Sequence, residues 1–596
     1  MLWATLFEPP HTDFEKYLRI AMMTKNNRTS PIISLLLAFA FIFGALTPTA
    51  SAQEASRPPQ RERRVSTTPV AAPTPTQTPA LKPTPKPQPA ASPGSSSTAV
   101  VKQSADAPKT VEDLRARIQE VLRSPELEPS QMAVKVASLD TGRTLYEENA
   151  GKLLHPASNM KIYTVAAALD RLTPDFRFKT SAYLPAMPDN TGTVRGDLVI
   201  YGRGDPSFAA SFNNGDYYKA IDDFAARIAA AGVRRIEGNI VGDESYFTGA
   251  RLGYGWEWDD LQWYYGAEIS ALTVNDNSLD LFVKPGQDVG AQAVVTTGPV
   301  TPLLTIVNRV TTSPRGTKRN VTVVRPLGTS TLELTGSVPL GPDAAATTDK
   351  GLIGSVAVPN PALLFVYMLR SSLAAKGVAI TGQSQTIDAR GRANAPLRTD
   401  SLVEIANVQS PPLSVIAAQT LKPSQNLYTE LILRTLGKLA PPTDIAPTLE
   451  RTSADDGIEA VKRFLRGAGI EPRGQVVQAD GSGLSRHDYI TAGGTTQLLT
   501  YMNTHRYSAA FRDALPIAGV DGTLRTRMKG TPAASNLRAK TGTISGVASL
   551  SGYVTSAAGE RLVFSIILNN YPEESSSRRS FIDAIAVLLA SFSGRS

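Results

Sequence analysis

The chain changes character near residue 110, and that break limits what it can fold into. From Arg57 to about Pro108 it is rich in Pro, Thr, Ala and Ser, as in Pro73-Thr74-Pro75-Thr76 and Lys82-Pro83-Thr84-Pro85-Lys86-Pro87. Such a stretch has too few apolar side chains to offset the entropy of ordering it, so residues 53–110 are expected to form a disordered or extended tether. Whatever buries a core must follow, and that remainder is longer than one core usually holds; two or three domains are expected. Ahead of the tether, Lys25 and Arg28 precede an apolar run from Ile32 to Leu46, and Ala50-Ser51-Ala52 offers small residues for cleavage. The run is shorter than the roughly 20 residues that a bilayer-spanning helix needs. Residues 1–52 therefore read as an export signal, with Met23 as an alternative start and a retained anchor as the rival reading.

The formal charge of +8 raises the question of a nucleic-acid partner. Its distribution answers no. Residues 53–110 carry eight Lys or Arg against three Asp or Glu, which leaves the folding part nearly neutral. The basic tether fits peripheral contact with an anionic wall or membrane surface better than it fits DNA or RNA. The chain has no cysteine, so disulfides, a thiol nucleophile and Cys-based metal sites are excluded. His155, His487 and His505 form neither HxxxH nor HExxH, and no metal or other cofactor is expected.

Beyond the tether, Leu114, Ile118, Val121 and Leu122 recur at helical spacing, and Met132 to Leu139 alternates like a strand before the turn Asp140-Thr141-Gly142-Arg143. At the other end, Val547 to Val554 and Leu562 to Leu568 read as strands, followed by a helix with Phe581, Ile585, Leu588 and Leu589 on one face. Between about Ala182 and Thr399 the texture shifts to short β-prone runs punctuated by Gly and Pro, with a helix near Tyr217 to Ala231. If the flanking parts share one sheet, the middle is an insertion. The expected division is 111–181 with 400–596 as one domain, and 182–399 as one or two inserted, mainly β domains.

Three short motifs carry chemistry. Pro156-Ala157-Ser158-Asn159-Met160-Lys161 opens a helix expected to run through Leu172, and residues three apart on a helix share a face, so the Ser158 hydroxyl and the Lys161 amine can meet. A neutral lysine can take the hydroxyl proton, but holding one neutral at pH 7 costs about 4 to 5 kcal/mol unless burial and neighbouring cations shift it. Lys540-Thr541-Gly542-Thr543 precedes the strand at Val547 and reads as an edge strand. It has a second cation, a glycine where a substrate backbone can approach, and amides that can pair with an extended peptide. Ser424-Gln425-Asn426 sits on a helical segment expected to span Pro411 to Leu436, offering a hydroxyl relay and a carboxamide. Taken singly, each motif has an ordinary reading as a helix start, a turn glycine or a cap. Together and in this order they argue against coincidence.

Ser158-x-x-Lys161, Ser424-x-Asn426 and Lys540-Thr541-Gly542 resemble the three active-site motifs of penicillin-recognising serine enzymes. The gap between the first two, more than twice that between the last two, resembles class C low-molecular-mass penicillin-binding proteins, the D-alanyl-D-alanine carboxypeptidase/endopeptidases. Further matches are Gly202-Arg203-Gly204-Asp205-Pro206, Tyr265-Gly266-Ala267, Asn275-Asp276-Asn277, Asp480-Gly481-Ser482-Gly483-Leu484-Ser485-Arg486 and Gly519-Val520-Asp521-Gly522-Thr523-Leu524. The resemblance implies an α/β (α+β) transpeptidase/β-lactamase-like domain with mainly β domains inserted between the first two motifs. It implies an exported, periplasmic or wall-space enzyme acting on peptidoglycan stem peptides and acylated by β-lactam antibiotics. It also implies Ser158 as nucleophile, Lys161 as base, Ser424 with Lys540 as proton relay, and the amides of Ser158 and Thr543 as oxyanion hole. Which lysine acts as base differs between accounts of the superfamily; Lys161 is assigned on spacing. Gln425 departs from the usual Asp or Asn at a position pointing away from the chemistry.

Other features carry weaker expectations. Asp276, or Asn275 beside it, and Arg486 match stretches that approach the site and could read an acyl-donor side chain bearing both charges, a turn role being the alternative. Trp256, Trp258 and Trp263, with Tyr264 and Tyr265, read as a packed interdomain cluster rather than a glycan-stacking platform. Gly202-Arg203-Gly204-Asp205 lacks the rest of a dinucleotide fingerprint and reads as a turn. Two rival functions stand beside the leading one: a β-lactamase, which must deacylate rapidly, and a catalytically inactive wall-binding scaffold.

Overall fold

The computed structural model describes residues 107–341, 351–443, 451–571 and 578–596; the expected signal and nearly all of the tether lie outside them. The two ends of the described chain meet in one antiparallel five-stranded sheet. Its order is Arg538–Ile544, Val547–Thr555, Arg561–Asn569, Gln131–Ser138, Thr144–Glu148. The pairing runs without interruption from Gln131 opposite Asn569 to Ser138 opposite Leu562. Side chains alternate between the two faces of a strand, and here both faces are covered. Leu562, Phe564, Ile566 and Leu568 face the terminal helices Val111–Leu122 and Arg578–Ser591. Val563, Ile567 and Tyr553 face helices that include Met160–Leu172, Ser453–Gly467 and Ala492–Thr504. Burial on both faces explains why these strands read as nearly continuous apolar runs.

The middle of the chain builds a second five-stranded sheet, ordered Ser384–Ile387, Ile240–Asp243, Leu198–Tyr201, Lys179–Leu184, Val403–Gln409. Its last two strands begin before residue 182 and extend beyond 399, because the chain enters and leaves the insertion as an antiparallel pair, Val403 opposite Leu184 through Gln409 opposite Lys179. Three smaller sheets of three strands complete this part. Residues of four of the five strands and of the smaller sheets, from Ala182 to Ala406, share a single core. Two helices pack on this sheet. Lys219–Ala230 was expected; Pro361–Ala375 was not, because it is apolar on nearly every face and so shows no period. Its start signal was nonetheless present: Asn360 accepts the amide of Leu363 at 3.3 Å, and Pro361 occupies the first helical position.

The helix expected over Pro411 to Leu436 is two helices, Leu413–Leu421 and Asn426–Leu439. Pro423 cannot donate into a continuing helix, and Ser424 takes a left-handed φ of 65°. The second motif therefore lies on a break. The longer helix is sealed to the insertion by a small core of Leu427, Tyr428 and Leu431 against Phe247, Ile269 and Ala271. Truncation of Leu431, which is fully buried there, should cost about 2–5 kcal/mol, read as a lowered midpoint in thermal or denaturant unfolding of Leu431→Ala.

Candidate active site

Ser158 stands in a single 3-10 turn, Ala157–Asn159, which leads directly into the helix Met160–Leu172. Ala157 has φ 47°, a conformation non-glycine residues rarely adopt, so the turn presenting Ser158 is strained, as is the break presenting Ser424. Ser158 and Ser424 are partly accessible, whereas Lys161 and Lys540 are fully buried beneath them. Lys161 Nζ lies 2.9 Å from Ser158 Oγ, 2.6 Å from Asn426 Oδ1 and 2.8 Å from the carbonyl of Ser482. Lys540 Nζ donates to Ser424 Oγ and to the carbonyl of Thr541, both at 2.8 Å. The three sequence motifs thus meet at one place.

Electrostatics give the two lysines an unusual character. Burial pushes the Lys161 amine down to about 7, against the upward pull of the Asp480, Glu430 and Asp488 carboxylates. Burial, with the Lys161 cation adding to it, holds Lys540 well below the ordinary lysine range. A neutral Lys161 has two N–H bonds and one lone pair. The two fixed oxygens, Asn426 Oδ1 and the Ser482 carbonyl, match the N–H bonds, which leaves the lone pair for the Ser158 hydroxyl.

Edge strand Arg538–Ile544 pairs on one side with Val547–Thr555, placing Lys540 opposite Ser551 and Gly542 opposite Ser549. The glycine is required by packing within the protein itself. A Cβ on Gly542 would sit 2.1 Å from Ser549 Oγ and 2.6 Å from the Pro156 carbonyl, so its missing side chain is what lets the strand lie against the Ser158 turn. Ser549 Oγ donates to that same carbonyl at 2.7 Å. Thr541 is buried, with its hydroxyl 2.7 Å from that of Thr523, while Thr543 is exposed.

Asp276 does not reach open space. It is 3% exposed, and its carboxylate accepts from Tyr428 Oη at 2.5 Å. Tyr428 lies two residues beyond Asn426, so this carboxylate braces the helix that carries Asn426. Neighbouring Asn275 is buried too, accepting the amide of Ala210. Arg486 sits at the rim, donating to the carbonyl of Ser545 at 2.8 Å and paired with Glu257 at 3.3 Å. The tryptophans are not one cluster. Trp263 packs on the core of the insertion, Trp256 donates to Asp480 Oδ2 at 2.8 Å, and Trp258 is exposed, because three residues so close along an irregular loop point different ways.

Several residues important to the site had no role assigned from sequence. Asp480, buried, accepts the amides of Ser482, Gly483 and Ser485 together with the Ser482 hydroxyl and the Trp256 indole, and so fixes the carbonyl that Lys161 uses. The Asp-Gly-Ser-Gly run signalled a tight turn but not what the turn faced. Glu430 accepts the amide of Gly481 at 2.9 Å, and burial followed by the Asp480 charge pushes its carboxyl up to about 8. Its position four residues after Asn426, which places it on the same face of the helix, was the available signal. Tyr265, from the insertion, offers its carbonyl to Asn426 Nδ2 at 2.8 Å.

The family model described as the D-Ala-D-Ala carboxypeptidase 3 (S13) family matches residues 114–592. A D-alanyl-D-alanine carboxypeptidase of Actinomadura sp. (strain R39) is 34% identical over 493 residues, covering 81% of this chain and 85% of that protein. D-alanyl-D-alanine carboxypeptidase DacB of Haemophilus influenzae is 25% identical over 459 residues, covering 74% and 86%. The crystal structure of penicillin binding protein 4 (dacB) from Haemophilus influenzae matches in fold with a TM-score of 0.64 at 23% identity, over 79% of this chain and 97% of that one.

Gly542→Ala should displace the Ser158 turn, because the added methyl meets Ser549 and the Pro156 carbonyl. The expected outcome is a lowered thermal midpoint together with slower covalent labelling by benzylpenicillin, measured by intact mass against time.

Proposed function

The chain belongs to the D-Ala-D-Ala carboxypeptidase 3 (S13) family, and we propose that Ser158 is the nucleophile with which this serine-type D-alanyl-D-alanine carboxypeptidase/endopeptidase opens its substrate bond. The observation that carries the assignment is the buried Lys161 amine 2.9 Å from Ser158 Oγ, with its two other neighbours both acceptors. Neutral Lys161 takes the Ser158 proton as Oγ bonds to the carbonyl carbon of the penultimate D-alanine. The amides of Ser158 and Thr543 receive the oxyanion. Collapse breaks the peptide bond, and the proton reaches the departing amine through Ser424, whose hydroxyl Lys540 holds. The acyl-enzyme is then hydrolysed by a water that Lys161 deprotonates in turn. Lys540 and Thr541, the latter bonded to Thr523, suit the terminal carboxylate; Arg486, with Glu257 beside it, suits a charged donor side chain.

The substrate we propose is the peptidoglycan stem peptide, with β-lactams as acylating inhibitors and the wall space outside the inner membrane as the place of action. The apolar run and small-residue site before Gln53 support export, and the basic tether supports peripheral wall or membrane contact. No helix among the described residues is long and apolar enough to cross a membrane.

Intact mass after incubation with benzylpenicillin tests the nucleophile: the wild type should gain one penicilloyl group and Ser158→Ala none. An adduct on Ser158→Ala would refute the assignment. Prompt turnover of the antibiotic would favour a β-lactamase, and muropeptide binding without turnover a scaffold. Lys161→Arg keeps the charge but cannot become neutral, so acylation should slow about 10²–10⁴-fold. Because the reactive form is the neutral amine, the wild-type acylation rate should fall as pH drops through about 7, approaching tenfold per unit below it, in a pH profile of the second-order rate constant.

A further inference from the structure

The chemistry above leaves unused two aromatic side chains beside the site. Tyr254 and Trp258, at 70% and 72% exposure, are the most open aromatic residues among those described. They flank an anchored stretch of loop rather than a loose one. Between them, Trp256 is bonded to Asp480, the carbonyl of Gly255 accepts the amide of Arg486 at 3.5 Å, and Glu257 pairs with the Arg486 guanidinium. The Tyr254 ring packs on the His487 imidazole with centroids 4.9 Å apart. Gly255 makes this approach possible: it has φ 74°, and a Cβ there would lie 2.3 Å from His487 Cδ2. A braced segment that leaves two large aromatic side chains mostly in water forgoes the gain of burying them unless a ligand covers them.

The strand direction says which part of a substrate comes near. With its carboxylate end at Lys540 and Thr541 and its reacting carbonyl at Thr543, an extended donor peptide runs its N-terminal portion out past Ser545. Arg486 is bonded to the Ser545 carbonyl, so the 254–258 segment stands on that exit side. A wall stem peptide is joined at its N-terminal end to an N-acetylated amino sugar. Sugar rings present flat C–H faces that stack on aromatic planes.

We propose that Tyr254 and Trp258 form a saccharide subsite that receives the amino-sugar end of a glycan-linked stem peptide. This rests on the reading of the chain as a D-alanyl-D-alanine hydrolase with Ser158 as nucleophile. The test compares two substrates that share one pentapeptide, the first carrying its disaccharide and the second free. Wild type should favour the first by about fivefold or more in kcat/KM, chiefly through KM. The double variant Tyr254→Ala/Trp258→Ala should bring that ratio close to one. A wild-type ratio of one, or a preference that survives in the double variant, overturns the subsite. Benzylpenicillin labelling of Ser158, run on the same preparations, separates the two levels. An adduct with no sugar preference removes the subsite alone, whereas a wild type that forms no adduct removes the catalytic reading and the subsite with it.

Discussion

Lys161 Nζ is held among three oxygens that come from the turn leading into its own helix, from the broken helix around Ser424, and from the Asp480 turn. An ammonium group in that position is expensive because no water reaches it, and a free amine there is well satisfied. Three nearby carboxylates oppose the shift, so the balance falls near neutrality instead of far below it. Each neighbouring feature serves to keep this balance. Asp480 freezes the turn that offers the Ser482 carbonyl, Glu430 holds the amide of Gly481, and Asn426 is itself held by the Tyr265 carbonyl. A small displacement of any one would leave a buried donor without an acceptor, at a cost comparable to a lost hydrogen bond.

That arrangement explains why the inserted segment is more than an appendage. It contributes Tyr265 directly behind Asn426, Trp256 to Asp480, and Asp276 to Tyr428, while Phe247, Ile269 and Ala271 pack on the helix that bears Asn426. The five-stranded sheet supplies the other wall. Its edge strand is pressed onto the Ser158 turn through Gly542, and Ser549 ties the next strand to the same turn.

Much of this was legible in the chain, for reasons that are local. The strands Val547–Thr555 and Arg561–Asn569 and the terminal helices follow from their apolar patterns. Where local pattern failed, a tertiary contact had taken over. Pro361–Ala375 is buried nearly all round and so loses its period, while the helix before Asn426 breaks at Pro423, and Ser424, just beyond it, is held by Lys540. Asp276 was singled out by its match to a stretch that approaches the site, and burial against Tyr428 is something that match could not show.

What the sequence picked out by itself was the candidate set: two serines, two lysines and a carboxamide, at spacings that resemble those of a known group of enzymes, with cysteine chemistry excluded. Motif spacing survives in one dimension because a three-residue step on a helix is already a geometry. What only the tertiary structure decided was the state of that set. Whether Lys161 is a cation or an amine depends on burial and on carboxylates from residues 430, 480 and 488, which lie hundreds of positions away along the chain and meet it only when the fold closes.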